Sequence, residues 1–106
     1  MSDNFITLEQ AQEYIQRYRN NLPNMLTPDY DGALVYSETF DASAIQTLLD
    51  QPGFVGFKAY YGMKADNKVC SIFVGVNENG EDMMGLLKGG GGDIIVENGK
   101  PCPPLC

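Results

Sequence analysis

The chain has 106 residues, of which 43% are hydrophobic and 20% charged, and its 14 acidic and 7 basic side chains give a net charge of −7. This is the composition of an ordinary globular protein, which excludes a fibrous repeat and wholesale disorder. The acidic balance and the scattered cations predict no binding to nucleic acid or to membranes. The absence of histidine excludes a Ser-His-Asp triad and the commonest metal ligand.

The cellular setting is inferred from the N-terminal segment and the cysteines. The first residues lack the positive and apolar regions of a signal peptide, and no apolar run is long enough to span a bilayer. Three cysteines are an odd number, unlike the even framework of small secreted scaffolds. We therefore predict a cytoplasmic protein with a single globular domain over residues 1–106, since a chain of this length builds one core.

The first predicted helix covers residues 7–20, where apolar side chains recur at helical spacing. Thr7 and Gln10 have the spacing of a capping box at its start. Pro23 is expected to close the segment, because the residue before a proline is pushed out of helical geometry. A short apolar run at residues 33–36 is compatible with a brief strand.

The second predicted helix begins after Asp41, which has the side chain of an N-cap, and ends before Pro52. Its apolar side chains are expected to face inward. They are Ile45, Leu48 and Leu49.

Residues 55–63 and 69–76 alternate apolar and other side chains with a period of two, and the polar residues 64–68 separate them. This pattern predicts an antiparallel hairpin, and the residues around 83–87 and 93–96 are candidates for further strands. An isolated hairpin is marginal in water, so its apolar faces need a cover. We therefore predict an α+β fold: an antiparallel sheet of three to four strands with two helices packed on one face.

The C-terminal fifth contains a glycine run at residues 88–93, predicted to be a flexible loop, and a Cys/Pro-rich tail at residues 97–106. In an extended polyproline conformation, Cys102 and Cys106 would be about 12 Å apart, beyond the roughly 7 Å limit for a disulfide. A direct bridge therefore requires a turn or a cis proline. Otherwise the thiols are free, pair between molecules, or help to bind a soft metal.

Zinc is the metal to consider, but a closed zinc site needs four ligands and one chain offers three thiols. We therefore expect no cofactor, with zinc as the less favoured possibility at Cys102 and Cys106. Cys70 belongs to an apolar stripe and is predicted to be a buried small hydrophobe. On the hairpin, Lys58, Tyr60 and Tyr61 are candidates for an aromatic and cationic ligand patch.

Six short segments carry a resemblance to known proteins. They are residues 40–45, 51–53, 56–62, 74–76, 80–82 and 102–106. Taken together, these segments resemble a group of small bacterial proteins that have no established activity. The resemblance implies a shared small domain ending in Cys-Pro-Pro-x-Cys, and it transfers no catalytic residue.

No nucleophile beside a base and no pair of carboxylates at a defined separation is visible in the sequence. We therefore predict a small interaction or assembly module without catalytic activity, which associates with another protein or with itself. The predicted surface is an exposed sheet edge or the apolar residues 83–87. The alternative is a thiol or metal-binding function at Cys102 and Cys106.

Overall fold

The structure is a computed structural model that describes residues 4–83 and 94–104. The chain divides into two compact units, Met1–Leu34 and Val35–Cys106. Whether residues 1–106 form a single domain stays a prediction. Among the described residues, no helix is both long and apolar enough to cross a bilayer.

The first unit contains helix α1 (Leu8–Met25), followed by a short 3-10 helix at Pro28–Tyr30. The predicted capping box is confirmed: the Thr7 N–H donates to Gln10 Oε1 at 2.9 Å, and the Gln10 N–H donates to Thr7 Oγ1 at 3.0 Å. The predicted end of the helix is wrong, because α1 continues through Pro23. A proline disfavours helical geometry at the preceding residue without forbidding it, and the helix extends two residues beyond Pro23.

The second unit is built on the predicted hairpin, with strands β2 (Gly56–Met63) and β3 (Val69–Val76) paired antiparallel. The turn between them is closed by a hydrogen bond from the Lys64 N–H to the Lys68 carbonyl at 2.9 Å. Asn67 adopts a left-handed conformation with φ of 66°, which asparagine tolerates better than most residues. Both strands therefore lie where the alternation of the sequence predicts them.

The predicted burial of β2 is wrong. The register places Lys58 opposite Val74 and Phe57 opposite Gly75, so Phe57 lies on the face opposite to Val74. Phe57 shares its face with Phe73 of β3, and the two ring centres are 5.6 Å apart. The buried face of β3 includes Val74, which is fully inaccessible, whereas Phe57 is 55% exposed and Tyr61 is 81% exposed. Alternation fixes the period of a strand but not which of its two faces the rest of the chain covers.

Helix α2 (Ala42–Leu49) packs against β3. Asp41 is its N-cap residue, as predicted, although its side chain makes no capping hydrogen bond. Leu48 is 1% exposed, but Leu49 is 42% exposed, so the prediction that both face inward is wrong. Successive helical residues are about 100° apart, and an eight-residue helix on a narrow hairpin buries only a narrow stripe.

A second pair of strands joins β1 (Ser37–Thr39) and β4 (Lys100–Cys102) in antiparallel register. The early strand therefore lies just after the predicted residues 33–36, and part of the predicted tail at residues 97–106 is a strand. The Ser71 N–H donates to Glu38 Oε1 at 3.1 Å, which connects β3 to β1.

The described residues form two two-stranded sheets rather than one sheet of three to four strands. Single β-bridges pair Val96 with Phe73 and Asp82 with Val76, along the edge of β3 that does not pair with β2. The coarser prediction, a mixed α+β fold with antiparallel strands, is confirmed. The predicted glycine loop at residues 88–93 and residues 84–87 of the predicted apolar surface lie outside the described residues.

Candidate interaction surface

The outer edge of β2 carries backbone groups that point away from the hairpin. The Phe73 N–H and carbonyl both bond to Val96, at 2.8 and 3.0 Å, so they point away from β2. In an antiparallel pair of strands, two residues that lie opposite each other either both point their N–H and carbonyl groups toward the other strand or both point them away from it. Ala59 lies opposite Phe73, so its N–H and carbonyl point to the outer edge.

Backbone direction alternates along a strand, so the N–H and carbonyl groups of Phe57 and Tyr61, two residues before and after Ala59, also point outward. Within residues 4–83 and 94–104, the only strand that pairs with β2 is β3. An edge strand with unpaired backbone groups is a template for another strand. The outer edge of β2 is therefore a candidate surface for strand addition.

One face of β2 also presents exposed apolar side chains in a row. The members of this β2 row, with their exposed fractions, are Phe57 (55%), Tyr61 (81%) and Met63 (54%). Soluble proteins expose single apolar residues routinely, but a contiguous row along an edge strand is typical of an interaction surface. Residues 51–65 contain no carboxylate, although the chain has 14.

The opposite face of β2 carries a polar cluster made by Lys58, Tyr60 and Asp82. Lys58 Nζ donates to Asp82 Oδ1 at 2.7 Å, and the Tyr60 hydroxyl donates to Asp82 Oδ2. Lys58 Nζ also lies 5.5 Å from the centre of the Tyr60 ring. Each carboxylate oxygen of Asp82 thus has a donor from β2.

The cluster shifts all three pKa values away from neutrality. The hydrogen bond with Asp82 raises the pKa of the Lys58 ammonium and of the Tyr60 hydroxyl above their ordinary values. The hydrogen bonds from Lys58 and then Tyr60 lower the pKa of the Asp82 carboxyl. Through these hydrogen bonds the cluster connects β2 to the segment that bridges to β3 at Val76.

The predicted ligand patch is divided by the strand. Lys58 and Tyr60 lie on one face, and Tyr61, opposite Ser71, lies on the other. The sequence analysis missed Asp82 as their partner. A signal was present, because the turn at residues 77–80 returns the chain along β3 and places Asp82 opposite Val76.

The cysteines are placed in two different environments. Cys70 is a free thiol that is 6% exposed, which confirms the predicted buried hydrophobe. Cys102, at the end of β4, is disulfide-bonded, and Cys106 lies outside the described residues. The peptide bonds Cys102–Pro103 and Pro103–Pro104 are cis.

The described residues contain no group of three or more His, Cys, Asp or Glu side chains arranged to hold a metal ion. Comparison of the chain with protein-family models, with curated proteins and with solved structures finds no match.

Proposed function

We propose that this protein is a small interaction module without catalytic activity, and that it binds through the outer edge and the apolar row of β2. The single observation that carries this proposal is the coincidence, on one strand, of outward backbone groups and exposed apolar side chains. Backbone hydrogen bonds supply affinity in strand addition, and alternate side chains supply specificity.

The proposed surface on β2 differs from the predicted apolar surface at residues 83–87. Met83 belongs to the apolar residues 83–87, but it is only 5% exposed. Its side chain is a core group, and its N–H donates to the Gly75 carbonyl at 2.8 Å. The apolar row of β2 takes its place in the proposal.

The proposed partner is a protein, because a chain with a net charge of −7 is repelled by phosphate backbones and anionic lipid. The proposed setting is the cytoplasm, although the disulfide at Cys102 is more typical of an oxidising compartment. We also propose that the sheet reaches three to four strands through the segments that bridge to β3. The packing of two helices on one face of it stays a prediction.

The proposal is tested by capture experiments with three forms of the protein. Tyr61→Glu places a charge in the β2 row, and Ile95→Glu places the same charge at another exposed apolar position, 47% accessible. We expect wild type and Ile95→Glu to retain the same binding partner and Tyr61→Glu to lose it. The proposal fails if all three forms retain the same proteins, or if wild type retains none and is monomeric by light scattering.

The alternative function is a thiol or metal-binding role at Cys102 and Cys106. The disulfide at Cys102 favours a redox role over a metal-binding role. A sulfur in a disulfide is not a thiolate, so zinc binding would need the reduced protein. Combined Cys102→Ser and Cys106→Ser substitutions test it by thiol titration and elemental analysis. If neither redox behaviour, metal content nor oligomeric state changes, the alternative should be dropped.

A further inference from the structure

We propose that the partner of β2 is a second copy of the same chain, and that the two β2 strands pair antiparallel about a two-fold axis at Ala59. This inference rests on the proposed function and names its partner. It follows from the sequence of β2, from the direction of its backbone groups, and from its charge.

The side chains of β2 match themselves when the strand is reversed about Ala59. In that register Phe57 of one copy faces Tyr61 of the other, and Lys58 faces Tyr60 of the other. Gly56 then faces Gly62. Aromatic pairs and cation–aromatic pairs are favourable across strands, and no like charges lie directly opposite each other.

The backbone direction permits this register. An antiparallel pair forms two hydrogen bonds wherever both opposing residues point their N–H and carbonyl toward the partner. Ala59, Phe57 and Tyr61 point to the outer edge in each copy, as deduced above from Phe73 and Val96. Ala59 would therefore bond to Ala59 of the second copy, and Phe57 to Tyr61 on both sides of the axis.

The charge of the strand is compatible with the approach of a second copy. Two chains of net charge −7 repel each other, but residues 51–65 contain two lysines and no carboxylate. Asp82 neutralises Lys58 within each copy at 2.7 Å. The Lys58 side chains of the two copies therefore approach the axis as compensated ion pairs, along a segment that has no carboxylate of its own.

The inference is tested by changing the N–H at the axis. Ala59→Pro removes the central donor without touching the β2–β3 ladder, because that N–H points outward. The matched control Ala59→Ser keeps the N–H. We expect wild type and Ala59→Ser to reach twice the monomer mass in light scattering as concentration rises, and Ala59→Pro to stay at the monomer mass with an unchanged circular dichroism spectrum.

The register is tested by cysteine cross-linking. Opposing Cα atoms in a hydrogen-bonded pair are about 5.5 Å apart, within disulfide range, so Ala59→Cys should form a dimer on mild oxidation. Lys58→Cys and Tyr60→Cys should not form such a dimer. In this register each of these cysteines would lie two residues along the strand from the same cysteine of the second copy, with about 8 Å between their Cα atoms. Dimers from Tyr60→Cys but not Ala59→Cys would overturn the proposed axis.

Hydrogen exchange of the wild-type amides at residues 57, 59 and 61 separates this inference from the proposed function. Protection that grows with concentration supports self-pairing. A strict monomer whose three amides exchange freely overturns self-pairing and leaves β2 open for another protein. A strict monomer whose amides are protected at every dilution overturns both, since the edge would then be covered by the chain itself.

Discussion

Replacement of Leu48 by alanine tests how α2 is held on the hairpin. Leu48 is 1% exposed, and its truncation removes three buried carbon groups at about 0.8 kcal/mol each, or about 2.4 kcal/mol of transfer free energy. The cavity adds to this, so we expect Leu48→Ala to lower the free energy of unfolding by about 3 kcal/mol. This is a large part of the total stability of a small protein.

Leu49→Ala is the matched control, because it makes the same chemical change one residue further along the same helix. Leu49 is 42% exposed, so its truncation should cost about 1 kcal/mol or less. The measurement is urea unfolding followed by circular dichroism, with the slope checked for a constant two-state transition. Equal losses for the two variants, or a larger loss for Leu49→Ala, would refute the orientation of α2.

Two further predictions concern the polar contacts of the second unit. Glu38→Ala should lower the free energy of unfolding by about 1–3 kcal/mol, because the part-buried Ser71 N–H loses its acceptor. Glu38→Gln keeps a carbonyl oxygen at this place and should recover most of the lost stability. Equal urea midpoints for the two variants would contradict this explanation. Because the pKa of Asp82 is lowered, its ion pair stabilises the fold fully at pH values above the ordinary pKa of an aspartate. This stabilisation is lost as the pH falls through the lowered pKa. Because the pKa values of Lys58 and Tyr60 are raised, their contribution is present at neutral pH and is lost as pH rises beyond 10 through the raised values. Asp82→Asn should therefore flatten both limbs of the unfolding free energy plotted against pH, and an unaltered curve would show that the cluster contributes nothing.

Local chemistry allowed several elements to be predicted from the sequence alone. The capping box at Thr7, the period of two in β2 and β3, and the turn after Lys64 depend on residues close together in the chain. The end of α1 was missed because a proline disfavours helical geometry at the preceding residue without forbidding it. These outcomes follow from interactions within a few residues of each other.

The burial of side chains could not be predicted in the same way. Both Leu48 and Leu49 are apolar, and both faces of β2 carry apolar or aromatic groups, so the pattern alone does not say which is covered. The register of β2 against β3 decides this for Phe57 and Val74, and it is a long-range property. Pairing between distant segments likewise brought Glu38 to Ser71 and Asp82 to Lys58.

The two faces of β2 have complementary roles in the proposed association. On one face, Asp82 holds Lys58 and Tyr60 by hydrogen bonds, which limits the side-chain freedom that would otherwise be lost when another strand is added. On the other face, Phe57 and Tyr61 offer apolar area whose burial supplies the driving force. If this division is correct, loss of Asp82 should weaken association without abolishing it, whereas a charge at Tyr61 should abolish it, because preorganisation only adds to a driving force that the apolar row supplies.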